Sequence, residues 1–201
     1  MNTHFQKYFL TLLISLFAWP SIKAVNTCAE NIFYSLQQIS IVGHTNVNSF
    51  WLKYSGIEPL QKITDIADIP HLKAKSITIN ILARNFVCSN HLMKNDFLSL
   101  IHADESPYIN IQLQGFQGLA NLKNDSTEVM LVNITLAGVK RTMEVYCNIT
   151  KDSANYFTMT GSRLVKLSDF NLVAPSKFLG LVKVKNEITI NFEIKLMVQG
   201  S

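Results

Sequence analysis

The stretch over residues 88–113 organises the chain, and it reads CSNHLMKNDFLSLIHADESPYINIQL. Its first half predicts a helix, because apolar residues recur there at helical spacing, at Leu92, Met93, Phe97, Leu100 and Ile101. Pro107 then excludes further helix, and apolar residues alternate with polar ones over residues 108–113 as in a half-buried strand. Almost everything else in the chain predicts strand, so this short helix is expected to be a plug or lid carried between two strands of a sheet.

The strongest strand pattern lies near the C-terminus, over residues 188–198, where every second residue is apolar and the residues between them are polar as far as Lys195. Further strands are predicted at residues 31–42, 50–54, 61–69, 75–86, 127–136, 139–150 and 156–167. The segment 169–185 is expected to be irregular, with one helical turn near Lys177. The residues alone therefore predict an all-β chain with one short helix.

About eight antiparallel strands in one sheet leave two edges that invite pairing with other chains. Closure into a barrel is the most economical way to remove those edges, and an eight-stranded barrel is just wide enough to be filled by side chains or to hold one slender ligand. Periodicity alone leaves a sandwich of two sheets open as the alternative.

The N-terminus has the three parts of a secretory signal. Lys7 supplies the positive charge, residues 9–19 form a run of apolar residues, and a short, more polar exit ends at Ala24. The apolar run is too short for a comfortable membrane span, and no integral span is expected elsewhere. We expect residues 1–24 to be removed and residues 25–201 to form one exported domain, periplasmic or secreted.

Charge and motifs exclude several classes of function. Without Lys7 and Lys23 the chain carries 16 basic and 14 acidic residues, and no basic cluster exceeds Lys140-Arg141, which excludes a nucleic-acid partner. No motif for an activated nucleophile occurs, and the histidines lack the short spacing of metal ligands. We therefore expect no enzyme, no metal and no cofactor.

The chain has three cysteines, Cys28, Cys88 and Cys147. In an oxidising compartment an odd number gives one disulfide and one free thiol, or no disulfide at all. Cys147 shares its strand parity with Val145 and Ile149 and is expected to point into the core, which leaves Cys28 and Cys88 as the preferred pair.

Four blocks of sequence occur in a characteristic order: GHTNVNSF at 43–50; MKNDF at 93–97 with AD at 103–104 and PYI at 107–109; ITLAGVKR at 134–141; and GSRL at 161–164 with DF at 169–170. Together they resemble the YceI-like family of exported, lipocalin-like bacterial proteins that bind polyisoprenoids. The resemblance implies an eight-stranded antiparallel barrel with the helix near its mouth, enclosing an elongated apolar tunnel for a long isoprenoid or lipid chain.

Candidate site residues follow from strand parity and from this resemblance. The residues expected to line the tunnel are Ile79, Ile111, Leu113, Val132 and Ile134 on strands, with Leu92 and Phe97 on the helix. Lys140 and Arg141 are candidates for a phosphate head group, because a cationic pair at a barrel rim suits a diphosphate, although a solvated hairpin end fits them equally.

Two functions remain open at this point. The first is non-enzymatic binding, carriage or storage of a long apolar molecule by burial, with the helix as a gate. The alternative is an interaction module whose filled barrel is only a scaffold, acting through surface loops in envelope stress response or secretion. Sequence does not decide whether the interior is hollow, nor whether the protein is a monomer or a homodimer.

The signal pattern predicts that the mature protein begins near Val25. N-terminal sequencing of exported material tests this directly. Exported protein that still begins with Met1 would contradict it.

Overall fold

The computed structural model describes residues 31–56, 58–65, 75–88, 91–116, 126–177 and 179–199. The predicted signal segment and Cys28 lie outside these ranges. The strands are β1 (Asn31–Thr45), β2 (Ser49–Tyr54), β3 (Gln61–Lys62), β4 (Thr64–Asp65), β5 (Lys75–Leu82), β6 (Phe86–Cys88), β7 (Tyr108–Phe116), β8 (Ser126–Leu136), β9 (Val139–Ser153), β10 (Tyr156–Lys166), β11 (Ser176–Lys177) and β12 (Val182–Gln199). One α-helix, α1 (His91–Leu100), and the 3-10 helices Ala83–Asn85 and Leu167–Phe170 complete the described elements.

The strands form a nearly closed antiparallel barrel. Their order is β4-β5-β7-β8-β9-β10-β12-β1-β2-β6, with β3 against β1 and β11 against β12. The sheet curls into a ring because β6, the last strand of this order, follows β5, near its start, in the chain after one 3-10 turn. The all-β barrel prediction is confirmed, but the strand count differs slightly: β5 and β6 share one position in the ring, and β3, β4 and β11 are short additions.

The interruption between β5 and β6 corrects the predicted continuous strand at 75–86. The 3-10 turn Ala83–Asn85 lets the chain change partners, since β5 pairs with β7 and β6 pairs with β2. Farther along β5, away from the 3-10 turn, the Tyr34 hydroxyl lies 2.5 Å from the carbonyl oxygen of Thr78. This contact ties β1 to β5. Burial raises the pKa of Tyr34, which keeps this hydroxyl protonated as a donor.

The two ends of the barrel are built differently. At one end, called the closed end here, side chains from five strands pack together with little or no exposure: Ile32, Ile77, Ile149, Phe157, Met159 and Leu196. At the other end, called the mouth, β1 leads into β2 and β8 into β9, and α1 lies over the interior. The inward rows run in register across the sheet, since Ile111 pairs with Ile79 on one side and with Ile134 on the other.

At Gly161 the backbone of β10 and an aromatic ring approach closely. A Cβ atom there would lie 2.3 Å from the ring of Phe192, its partner across the β10–β12 ladder. The glycine therefore lets the Phe192 ring lie along the wall.

The predicted helical turn near Lys177 is wrong. Ser176 and Lys177 form β11, which pairs with Lys183 and Val182 in a hairpin closed by a turn with positive φ at Leu179 and Gly180. The helical turn in this region comes earlier, at Leu167–Phe170, and Asn171 ends it in the left-handed conformation. A two-residue strand is too short to produce an alternation that the sequence would reveal.

In the described part of the chain, none of the helices has the length and apolarity needed to cross a bilayer.

Cys147 faces the core, as its parity predicted: it is 0% exposed. Burial raises the pKa of its thiol to about 12, so the reactive thiolate is scarce at neutral pH.

We expect alkylating reagents to label Cys147 only after unfolding, as measured by peptide mapping with and without urea. In a Cys147→Ser background, Tyr146→Cys provides the control, since Tyr146 is 62% exposed on the outer face and should label rapidly. Rapid labelling of native Cys147 would contradict the inward orientation of this strand.

Candidate ligand-binding cavity

An apolar cavity of about 140 Å³ lies inside the mouth. Its walls come from both sides of the barrel and from the segments above it, including Ile41, Leu52, Ile81, Ile109, Leu136, Val165 and Ile188 on the strands. Inward residues near a strand end have no further layer of sheet above them. The space there is therefore closed by whatever segment covers the mouth.

Helix α1 covers one side of this cavity. Met93, Phe97 and Leu100 line it, and the Phe97 ring meets the buried Phe86 ring edge-on at 5.4 Å between centroids. His102 ends the helical segment in the left-handed conformation, and the Ala103 amide donates to the Leu98 carbonyl at 2.9 Å. The helix is thus held on β6 by an aromatic contact while its inner face remains against the cavity.

The opposite side of the mouth is formed by the hairpin Ser176–Lys183, called the mouth hairpin here. Lys177 and Val182 of this hairpin line the cavity. Asn46, in the turn between β1 and β2, holds the hairpin in place: its side-chain amide donates to the Leu181 carbonyl at 2.8 Å, and its side-chain oxygen accepts from the Lys183 amide at 2.9 Å.

One ion pair joins the two sides of the mouth. The Lys177 ammonium lies 2.8 Å from the Asp96 carboxylate of α1, and both residues line the cavity. Their side chains are 54% and 33% exposed, so water still screens the pair. Of the described residues that line this cavity, these two are the charged ones. The arrangement is a weak ionic contact across the opening of an apolar space.

A second, smaller cavity of about 30 Å³ lies deeper in the barrel. Ile39, Ile111, Ile134 and Ile190 line both cavities, so these four residues form a constriction between them. Below the second cavity the closed end is packed. In the described part of the chain, the interior is therefore an interrupted apolar channel that opens toward the mouth.

The structure places most of the predicted lining residues along this channel. Phe97 lines the first cavity, Ile79, Leu113 and Val132 line the second, and Ile111 and Ile134 line both. Leu92 is 72% exposed and lines neither; Met93, the next residue, faces the interior instead. That these residues bind a ligand stays a prediction.

Lys140 and Arg141 lie just after the β8–β9 turn, at the mouth end of the barrel. Both are exposed, neither lines a cavity, and the Arg141 guanidinium donates to the Lys140 carbonyl oxygen at 3.1 Å. Their role at a head group also stays a prediction, as does the disulfide of Cys88 with Cys28, because Cys28 lies outside the described residues.

Sequence analysis missed Arg163 as an inward position. β9 and β10 pair only as far as Cys147 and Gly161, and beyond that point β10 continues along β12 alone. Arg163 lies on β10 where the two strands part, and it lines the smaller cavity although its side chain is exposed. The alternation Phe157, Met159, Gly161, Arg163, Val165 contained this signal, with one charge in an inward row.

The chemistry available at the channel is that of burial. Within the described ranges, no group of three or more His, Cys, Asp or Glu side chains is placed to hold a metal ion. The walls offer aliphatic and aromatic surface, with Asp96 and Lys177 at the opening and Arg163 at the side.

Comparisons with known proteins found a matching family and solved structures of similar fold. A family model described as YceI-like domain matches residues 42–196. Among solved structures, a polyisoprenoid-binding domain from Saccharophagus degradans, implicated in plant cell wall breakdown, aligns with a TM-score of 0.61 at 11% identity, over 83% of this chain and 98% of that one. BcnA from Burkholderia cenocepacia aligns with a TM-score of 0.57 at 16% identity, over 79% of this chain and 94% of that one. No curated protein matches the chain in sequence.

At such identities the two structures establish the fold alone. The family match rests on sequence, and it runs from Val42 in β1 to Leu196 in β12, which takes in α1, the mouth hairpin and most of the residues that line the two cavities. The chain therefore belongs to the YceI-like domain family.

Proposed function

We propose that this protein binds and carries or stores a long apolar molecule, of the polyisoprenoid or lipid class, in its barrel interior and without catalysis. The observation that carries the proposal is the apolar channel, which is closed at one end and covered at the other by two segments joined by an ion pair. Removal of apolar ligand surface from water, at roughly 25 cal/mol per Å², would supply the binding free energy without a specific polar contact.

The volume of the channel sets a condition on this function. The first cavity has about 140 Å³, close to the size of an engineered apolar cavity of about 150 Å³ that holds a single benzene ring. A longer chain therefore requires that the constriction widen or that the mouth open. Four isoleucines can widen the passage by rotamer changes, because none of them carries a hydrogen bond that such a change would break.

The small volume also favours a second candidate, the interaction module with a filled barrel. In that function the space at the mouth is a packing defect, and the surface loops make the contacts with a partner. The two functions differ in one respect that an experiment can measure: only the first requires the channel to remain passable.

We further propose that the protein works in the cell envelope, in the periplasm or after secretion. The signal pattern of residues 1–24 supports this location. The polyisoprenoid-binding domain of Saccharophagus degradans supports the class of ligand by its fold. Lys140, Arg141 and Arg163 supply cations for a charged end of the ligand if it carries one.

Blocking the constriction should weaken ligand binding while leaving the fold intact. Ile134→Phe adds a ring beside the 140 Å³ cavity, which has room for it, so the free energy of unfolding should change little. Retinol, a fluorescent isoprenoid, should then bind at least about tenfold more weakly than to the wild type, because it loses the deeper part of the channel.

Ile149→Phe is the matched control, because Ile149 is 2% exposed in the closed end and lines neither cavity. Without free space the same substitution should destabilise the protein by about 1–3 kcal/mol. The carrier function is wrong if wild-type protein takes up no retinol and co-purifies with no apolar molecule in native mass spectrometry. It is equally wrong if Ile134→Phe binds retinol as the wild type does.

Opening the mouth should speed ligand exchange. Lys177→Met removes the ion pair with Asp96, and an exposed pair of this kind contributes at most about 1 kcal/mol, so the fold should hold and retinol should dissociate up to about fivefold faster. Lys195→Met is the control, since it breaks an ion pair of similar exposure with Asp152 outside the mouth. Equal dissociation rates in the two variants, measured by stopped-flow fluorescence, would show that the mouth is not gated by this contact.

A further inference from the structure

The mouth of the barrel is ringed by exposed apolar side chains. Leu179 and Leu181 of the mouth hairpin are 107% and 74% exposed, Val173 before it is 84% exposed, Leu92 at the start of α1 is 72% exposed, and Val47 in the β1–β2 turn is 66% exposed. These are the five most exposed large apolar residues in the described part of the chain. Single exposed apolar residues are ordinary on a protein surface, but their concentration at one end is not.

Hydrogen bonds join the segments that carry these residues. Asn46, beside Val47, bonds the backbone at Leu181 and Lys183. The Val184 amide donates to the Pro175 carbonyl at 3.0 Å, which brings the segment after Val173 to the base of the hairpin. The Lys177–Asp96 ion pair joins the hairpin to α1. The apolar side chains therefore share one end of a connected structure and do not lie on separate loops.

The segment that carries the mouth hairpin is positively charged. From Asn171 to Asn186 the chain carries three lysines, at 177, 183 and 185, and no acidic residue. Lys183 and Lys185 are exposed and take part in none of the ion pairs formed among the described residues. Lys140 and Arg141 lie at the same end, across the mouth. Apolar side chains that project from a cationic rim match an anionic bilayer surface, where apolar insertion and attraction to anionic lipids add.

We propose that the mouth docks on the surface of an anionic phospholipid bilayer, with Leu179 and Leu181 inserted among the lipid chains and Lys183 and Lys185 against the head groups. This contact would set the opening of the channel directly on the membrane. An apolar molecule would then pass between bilayer and barrel without crossing water. The docking itself is independent of what the channel holds; only the transfer step rests on the proposed carrier function.

Sedimentation with vesicles tests the docking with the whole mature protein. Wild-type protein should bind vesicles of equimolar phosphatidylcholine and phosphatidylglycerol, bind more weakly to phosphatidylcholine alone, and lose most of this difference at high salt. Leu179→Ser with Leu181→Ser should weaken binding at least about tenfold. Lys183→Gln with Lys185→Gln should weaken it by a similar factor on the anionic vesicles only.

The barrel offers matched controls away from the mouth. Val129→Ser with Leu131→Ser removes two exposed apolar side chains from the outer face of β8, and Lys62→Gln with Lys151→Gln removes two exposed lysines from other parts of the surface. Both control pairs should bind vesicles as the wild type does. Retinol binding in solution should be unchanged in the Leu179/Leu181 variant, because neither residue lines the channel.

Several results would overturn the proposal. One is wild-type protein that binds neither kind of vesicle; another is equal loss of binding in the mouth and control variants. A third is wild-type protein that is dimeric in sedimentation velocity and becomes monomeric on Leu179→Ser with Leu181→Ser, since the apolar rim would then be a contact between two copies. Loss of retinol binding in the Ile134→Phe variant with intact vesicle binding separates the carrier function from the docking.

Discussion

Closure of the sheet is the constraint on which this structure depends. Once the strands return on themselves, every second side chain points into a space without water, and an apolar row in each strand follows from the cost of burying unpaired polar groups. The consequence differs along the barrel axis. At the closed end, rows from both sides meet and fill the interior. At the mouth, the strands end, and the covering layer consists of one helix and one hairpin. The hydrogen-bond ladders of the barrel strands do not set how closely these two segments pack over the interior.

That difference explains why the free space lies where it does. A helix laid over a barrel touches it along one stripe, so α1 packs through Phe97 on Phe86 and leaves room beside it. The mouth hairpin is held from the outside by Asn46, and it meets α1 through the exposed Lys177–Asp96 pair. Contacts of this kind are individually weak, so the cover can move without disturbing the ring of strands. A stable container with a weakly held cover suits the proposed carrier function.

The side of the barrel adds a second kind of weakness. Where β9 and β10 part beyond Cys147 and Gly161, the 3-10 helix Leu167–Phe170 packs against both strands, and the buried Phe170 lines the first cavity. The wall at this place is therefore made of side chains instead of backbone hydrogen bonds. Arg163 lies at its margin, so a charged group reaches the channel without being buried, which avoids the cost of desolvating a guanidinium.

The sequence by itself determined the class of fold, because the period of two in the long strands and the change of period before Pro107 are local properties. It also determined which residues face the interior: Ile111 and Ile134 were placed correctly by parity, and so was Cys147. It did not determine whether Leu92 faces the interior, because a helical pattern shows which residues share a face but not how that face is rotated against a neighbouring element. Only the tertiary structure decided the break after Leu82, the pairing of β11 and the meeting of Lys177 with Asp96, since each depends on a partner distant in the chain. The free volume was likewise beyond the sequence, because the same aliphatic rows line a filled core and a hollow one, and the difference lies in how closely the cover packs.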